Sequence, residues 1–174
     1  MAQPEPAIAP VFEALADEHR LRVHSAAAGV ALAIAACIGL RGQRHVLLPV
    51  GHDVAQPFDL RTMVTMAGAE PVLIGRVDLL PPGSLAPTTA AALLLRGGDP
   101  LLAPPAPPGL LLEARQLGLP SIIVAPPGRP ADRWLDAGAT LVVACGEAGA
   151  ALWGDPGLIE RARISPLAAA LAPP

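Results

Sequence analysis

His52 and Asp53 follow a short apolar stretch, residues 45–50 (HVLLPV), whose pattern is typical of a buried strand. Proteins of the α/β class place ligands at the carboxyl ends of such strands. This histidine is therefore a candidate general base, with the neighbouring carboxylate to orient its ring, and it could also stack on a flat ligand. Adjacent side chains in a turn often point apart, so the alternative is that neither residue takes part in chemistry.

Ser25, preceded by His24, opens an Ala- and Leu-rich stretch that predicts a helix over residues 26–40. The free N–H groups at a helix start, here those of Ala26 and Ala27, can bind a phosphate or carboxylate, and the serine hydroxyl is a further donor. His24 could assist with the same anion. The alternative is ordinary N-capping by Ser25 next to a structural histidine.

Glu147 and Cys145 come just after a strand predicted over residues 140–144, and they bring a carboxylate and a thiol to a strand end. No histidine lies near them in sequence to activate the thiol, so we interpret Cys145 as a small buried residue. Glu147 is a candidate for acid–base chemistry, and the alternative is a solvated or arginine-paired carboxylate. Cys37 and Cys145 show no CxxC or Cys/His spacing, so neither a disulfide framework nor a metal site is predicted.

The basic residues of the chain are all of one type. Of its 174 residues 12 are basic, and all of these are arginine; there is no lysine, tyrosine or asparagine. Every mechanism that needs a side-chain amine from this chain is excluded, including Schiff-base catalysis, pyridoxal phosphate held as an internal aldimine and a Walker A lysine. The arginines are scattered and the net charge is -3, so the sequence predicts no nucleic-acid-binding face.

The elements that must position these residues alternate between helices and short, continuously apolar strands. The pattern predicts helices over residues 10–20, 26–40, 58–67, 110–117, 131–136 and 157–163, and strands over residues 45–50, 71–74, 90–95, 121–124 and 140–144, with a further apolar piece at 150–153 and a last helical turn at 167–171. Strands without period-two polarity are typical of a parallel sheet buried on both faces. The predicted fold is therefore α/β, a three-layer sandwich with a mostly parallel central sheet and helices on both faces.

Length and hydropathy predict one domain, residues 23–174, preceded by an amphipathic helical arm over residues 1–22. Hydrophobic residues make up 52%, which is too many for a disordered chain. The longest apolar run, residues 25–40, is shorter than the roughly 20 residues that a membrane span needs. The start of the chain is unlike a secretory signal. A cytoplasmic protein is predicted.

Four stretches carry a resemblance to a known family. They are the helix start Ser25-Ala26-Ala27-Ala28, residues 58–75 (FDLRTMVTMAGAEPVLIG), residues 114–124 (ARQLGLPSIIV), and the tail with Ala148-Gly149, Gly154-Asp155, Leu158-Ile159-Glu160-Arg161 and Pro166-Leu167-Ala168-Ala169-Ala170-Leu171. In order and wording they resemble the large domain of fold type I pyridoxal-phosphate enzymes, most of all the family of bacterial selenocysteine synthase, L-seryl-tRNA(Sec) selenium transferase, and its ammonia-lyase relatives. The match covers roughly residues 23–172 and implies a minimal large domain, without the family's tRNA-binding and small domains.

The resemblance also implies a cofactor site whose key groups are missing here. In the family a Ser-Gly-Asp-Lys segment and a glycine-rich turn precede the closing strand, whereas Cys145-Gly146-Glu147 leads directly into Ala148-Gly149. The lysine segment is therefore predicted to be deleted. The family's aspartate that pairs with the pyridine nitrogen corresponds to Val124, and a pyridinium without its counter-charge is a poor electron sink. We expect no cofactor.

These departures predict a catalytically degenerate relative of selenocysteine synthase-like enzymes, acting as a binding or assembly module. Its expected partner is a second copy, in a homodimer or higher homo-oligomer, or an intact homologue, because the family builds its cofactor pockets across a dimer interface. One alternative is a pyridoxal-phosphate-independent enzyme or binder that uses the vestigial pocket for a small anionic or phosphorylated ligand. A second is retained selenium transferase or lyase activity in a complex with a complete homologue. Trp134 and Trp153 are candidate interface anchors or core residues.

Overall fold

Short apolar runs separated by glycine and proline determine where the strands and helices form, and the computed structural model gives their bounds. It describes residues 19–50, 54–55, 58–76, 80, 83, 85, 90–97, 108–125, 132–146 and 149–171. Within these ranges the strands are β1 (Arg20–Val23), β2 (His45–Val50), β3 (Val54–Ala55), β4 (Phe58–Asp59), β5 (Glu70–Arg76), β6 (Ala92–Arg96), β7 (Ser121–Val124), β8 (Leu141–Gly146) and β9 (Gly149–Gly154). The helices are α1 (Ala26–Arg41), α2 (Leu60–Met66), α3 (Pro108–Gln116), α4 (Asp132–Asp136), α5 (Pro156–Ile164) and α6 (Pro166–Leu171).

Seven of these strands form one sheet, in the order β1-β9-β8-β7-β6-β2-β5. The pairs from β5 through β2, β6 and β7 to β8 are all parallel. Strand β9 is antiparallel to both β8 and β1, so β1 runs in the same direction as the parallel strands. The prediction of an α/β fold with a mostly parallel sheet is confirmed.

Two apolar clusters, one on each face of the sheet, hold the helices in place. One cluster joins the sheet to α1, α2, α5 and α6, and the other joins it to α3 and α4. Along β8 the side chains alternate between the two, with Leu141 and Val143 in the first cluster and Val142 in the second. Leucine, isoleucine, valine and alanine make up most of both clusters, as expected for a chain with 2% aromatic residues.

Helix α1 is the longest described helix, and it is apolar on most of its surface because it packs between the sheet and other helices. Its buried residues include Val30, Ile34 and Cys37, all fully enclosed. It ends at Gly42, which adopts the left-handed conformation (φ 71°) that glycine reaches without a steric cost and donates its N–H to Ile38 O. Among the described helices, none has the length and apolar character that crossing a bilayer requires.

Beyond small shifts in the bounds of other elements, two elements differ from the sequence prediction. Arg20, the last residue of the predicted helix 10–20, begins β1, which pairs with β9; most of that helix lies outside the described residues. The four residues of β1 read RLRV, and two arginines in so short a stretch obscure its strand character. Helix α2 begins at Leu60 instead of residue 58, because Asp59 accepts a hydrogen bond from the N–H of Arg61 and so ends the preceding extended segment.

Candidate functional site

The carboxyl ends of the parallel strands form one edge of the sheet, and the sequence predicted the site there. The last residues of these strands are Val23, Val50, Arg76, Arg96, Val124 and Gly146. Ser25 follows β1 and opens α1 at this edge, as predicted. His52, Asp53 and Glu147 lie outside the described residues, so their role as an acid–base group stays a prediction.

Ser25 has the geometry of a helix N-cap. Its backbone is extended (φ -156°, ψ 169°), its Oγ accepts a hydrogen bond from Ala28 N at 3.1 Å, and its carbonyl accepts one from Gly29 N at 3.0 Å. Ser25 is half-buried, Ala26 is buried, and His24 is exposed. Ser25 therefore caps the amino end of α1 in the structure. Anion binding by these residues stays a prediction, with the first N–H groups of α1 as the donors, because a helix offers them no acceptor of its own.

The end of β7 is apolar. Val124 is 6% exposed and belongs to the cluster that includes α1. It pairs with Arg96 of β6 on one side and with Val143 of β8 on the other. Its side chain offers no charge or hydrogen bond to a ligand at this position of the edge.

Strands β8 and β9 are joined by a very short connection. Gly146 pairs with Gly149 in antiparallel register, so only residues 147 and 148 lie between the strands. This is the place at which the resemblance locates the lysine segment of the family.

Nucleophilic and metal chemistry have little basis in the described residues. Cys37 is buried within α1, and burial raises the pKa of its thiol to about 12, against a smaller lowering by the Arg41 guanidinium. Such a thiol is neutral at physiological pH and inaccessible to a substrate. No group of three or more His, Cys, Asp or Glu side chains that could hold a metal ion occurs in the described part of the chain.

A cleft that the sequence did not predict opens at the opposite, amino edge of the sheet. It has a volume of about 500 Å³, and its described lining includes none of His24, Ser25 and Ala26. His19, Arg115 and Asp155 contribute its charged or titratable side chains. These residues come from three distant parts of the chain, and no local motif indicates that they meet. The only local signal is Asp155-Pro156, which is typical of a helix start.

Comparisons with known proteins identify the fold. No family model matches the chain, and neither does any curated protein. Among solved structures it is similar to D-glucosaminate-6-phosphate ammonia-lyase, with a TM-score of 0.71 and 19% identity over 98% of this chain and 55% of that one. It is similar to apo CalE6, a methionine gamma lyase from Micromonospora echinospora (TM-score 0.64, 19% identity, 91% and 47% covered). It is also similar to the pyridoxal-5'-phosphate-dependent protein YhfS from Escherichia coli (TM-score 0.58, 18% identity, 83% and 42% covered).

The structural neighbours are fold type I pyridoxal-phosphate-dependent enzymes, among them lyases, aldolases and aminotransferases. The chain has their fold, so the wider resemblance inferred from sequence is confirmed. Identity this low establishes the fold alone, because one fold hosts many chemistries. The chain spans about half the length of the first of these structures, which it covers to 55%.

Proposed function

We propose that the chain is a catalytically degenerate relative of selenocysteine synthase-like enzymes, which retains the fold type I frame as a binding or assembly module. The observation that carries the proposal is the two-residue connection between β8 and β9 in a chain without any lysine. Fold type I enzymes hold pyridoxal phosphate through a lysine Schiff base. This chain provides no side-chain amine for that bond.

The residues at the carboxyl edge do not fit pyridoxal phosphate in a second respect. A carboxylate beside the pyridine nitrogen keeps that nitrogen protonated and so makes the ring an electron sink. Val124, which is buried and apolar, stands at the position that the resemblance gives to this carboxylate. The missing amine and the missing carboxylate belong to separate parts of the sequence. Two independent differences support the loss of the whole cofactor site better than one chance substitution would.

A role in assembly rests on the resemblance, because the family builds its cofactor pockets across a dimer interface. We propose that the partner is a second copy or an intact homologue. In the second case the complex could retain selenium transferase or lyase activity with the homologue's lysine.

Native mass spectrometry of protein purified from its source tests the assembly role. We expect a homodimer, a higher homo-oligomer or a complex with a larger homologous chain, and no retained pyridoxal phosphate. The control is the same protein after dilution, which separates specific complexes from association during spraying. A monomer at all concentrations, without a co-purifying homologue, would contradict the assembly role.

A second candidate function is binding of a small anionic or phosphorylated ligand at the start of α1, with or without catalysis by His52, Asp53 and Glu147. The extended Ser25 and the first N–H groups of α1 favour it. Titration with inorganic phosphate should then shift the backbone amide resonances of Ala26 and Ala27. If these resonances do not move at millimolar phosphate, Ser25 acts as a helix cap only.

A further inference from the structure

The cleft at the amino edge of the sheet is formed where several elements end. Leu40 comes from the last turn of α1, and Pro120 and Thr140 directly precede β7 and β8. Gly154 ends β9 and Asp155 caps α5. Its volume of about 500 Å³ lies within the range of small-molecule sites. The fold does not account for it, since ligands of α/β proteins bind at the other edge.

The floor of the cleft is apolar. Leu119, Ala139 and Leu158 line it and are 1%, 4% and 3% exposed, and the half-buried Leu135 continues the same surface. Leu40, which is 49% exposed, stands at the rim. An aliphatic group that enters the cleft would therefore leave water for a hydrocarbon surface.

Most polar side chains of the cleft already have partners within the protein. His19 Nδ1 donates to Gly154 O at 3.1 Å, and Asp155 Oδ2 accepts from Leu158 N at 3.0 Å. Thr140 Oγ1 accepts from Ser121 N at 3.0 Å. These bonds join the start of β8 to β7, tie His19 to the end of β9 and cap α5, and the groups that make them are not available to a ligand.

Arg115 is the exception. It is exposed in the last turn of α3, and the structure gives its guanidinium no hydrogen bond or ion pair with any described residue. A second guanidinium lies nearby, because Arg41 donates to Gly118 O at 2.6 Å and to Ala90 O at 2.9 Å, and Gly118 also lines the cleft. This side of the cleft is therefore positive, with one guanidinium held by the protein and one free to pair.

We propose that this cleft binds a small carboxylic acid with an apolar tail. The guanidinium of Arg115 pairs with the carboxylate in the bidentate geometry that these groups favour, and the tail lies on Leu119 and Leu158. A carboxylate suits the cleft better than a doubly charged phosphate, since the carboxylate of Asp155 lines the same space and repels the second charge more strongly. The inference does not depend on the function proposed above, whose anion would bind at the opposite edge.

The test is a titration of the isotope-labelled protein with octanoate, followed through backbone amide resonances. We expect the amides of Gly118, Leu119 and Gly154 to shift and those of Ala26 and Ala27 to stay in place. Octan-1-ol, which has the same tail and no charge, should bind about tenfold more weakly, as expected when one charge-assisted pair is lost. Shifts at Ala26 and Ala27 alone, equal binding of the alcohol, or no shift at millimolar octanoate would each overturn the proposal.

Variants identify the group that recognises the carboxylate. Arg115→Ala should weaken octanoate binding about tenfold, whereas the matched control Arg61→Ala, another exposed helical arginine, should leave it unchanged. Leu40→Glu adds a negative charge at an exposed rim position and should weaken binding without affecting folding. If octanoate binds Arg115→Ala and Leu40→Glu as tightly as it binds the unchanged protein, the proposal is wrong. Arg115 then only stabilises the carboxyl end of α3 through its favourable interaction with the helix dipole.

Discussion

The side chain at residue 124 is apolar and buried at the carboxyl edge of the sheet. Val124 is 6% exposed and packs in the cluster that joins the sheet to α1. A carboxylate there would have to leave water for a hydrocarbon environment, at a cost of several kcal/mol if it stayed ionised.

Restoring the carboxylate at this position should destabilise the protein. We expect Val124→Asp to lower the free energy of unfolding by about 3 kcal/mol or more at neutral pH, measured by urea denaturation. Val124→Ala, which removes methyl groups without adding a charge, should cost about 2 kcal/mol and serves as the control.

The pH dependence of the stability of Val124→Asp distinguishes the effect of the new charge from the effect of the changed side-chain shape. Burial raises the pKa of a carboxyl group in the folded state, so the folded variant prefers the protonated form. The penalty of Val124→Asp should then shrink at about pH 4 and grow towards pH 8. A variant as stable as Val124→Ala at both pH values would show that the edge still accommodates a carboxylate.

The thiol of Cys37 should be unreactive in the folded protein. With a pKa of about 12, about one molecule in ten thousand carries the thiolate at pH 8. In a Cys145→Ser variant, which isolates this thiol, labelling by a thiol reagent should proceed no faster than unfolding. The same raised pKa stabilises the fold below the ordinary thiol pKa of 9.0, and this contribution should fall as the pH rises from about 9 towards 12. Rapid labelling of the folded variant would contradict the burial of Cys37.

At the scale of the elements, α1 approaches the sheet closely at one residue. A Cβ atom at Gly29 would lie 2.8 Å from Val143 Cγ1 and 3.3 Å from Val23 Cγ2. Valine side chains have little freedom to move away. The glycine therefore allows the helix to lie directly on β1 and β8, and this contact positions the start of α1 at the carboxyl edge.

Alanine substitutions at two glycines of α1, one tightly packed and one exposed, test this close contact. Gly29→Ala should lower the free energy of unfolding by about 1–3 kcal/mol because of overpacking. Gly39→Ala, whose Cβ would come no closer than 3.8 Å to Arg161, should raise it by about 0.5–1 kcal/mol through helix propensity. Thermal denaturation of both variants measures the difference. Equal effects of the two substitutions would contradict the close packing of α1.

The elements that the sequence predicted well are those with a purely apolar pattern between clear breaks. Strands β2 (His45–Val50) and β7 (Ser121–Val124) have the predicted bounds, and α1 ends one residue later than predicted. Strand β1 was missed because its two arginines lie on a sheet edge, where Arg20 stacks 5.3 Å from the ring of Trp153. A contact with a residue so far along the chain leaves no local pattern.

At the scale of the whole molecule, sequence and structure contributed different parts of the account. The order of strands and helices predicted that His52 and Asp53 follow the end of a strand, because parallel strands direct their carboxyl ends to one side. The amino-edge cleft was not predictable, because the hydrogen bond from His19 to Gly154 joins residues 135 positions apart. Length, element order and the missing lysine were visible in the sequence, whereas the two-residue connection between β8 and β9 needed the strand register.

The absorbance spectrum of the purified protein after incubation with excess pyridoxal phosphate and desalting shows whether the chain can hold the cofactor. Without a lysine in the chain, the protein should pass through desalting colourless, and borohydride treatment should add no cofactor mass. A lysine-containing fold type I enzyme treated in the same way is the positive control. A visible absorbance band that survives desalting, with a matching increase in intact mass after reduction, would contradict the account of a dismantled cofactor site.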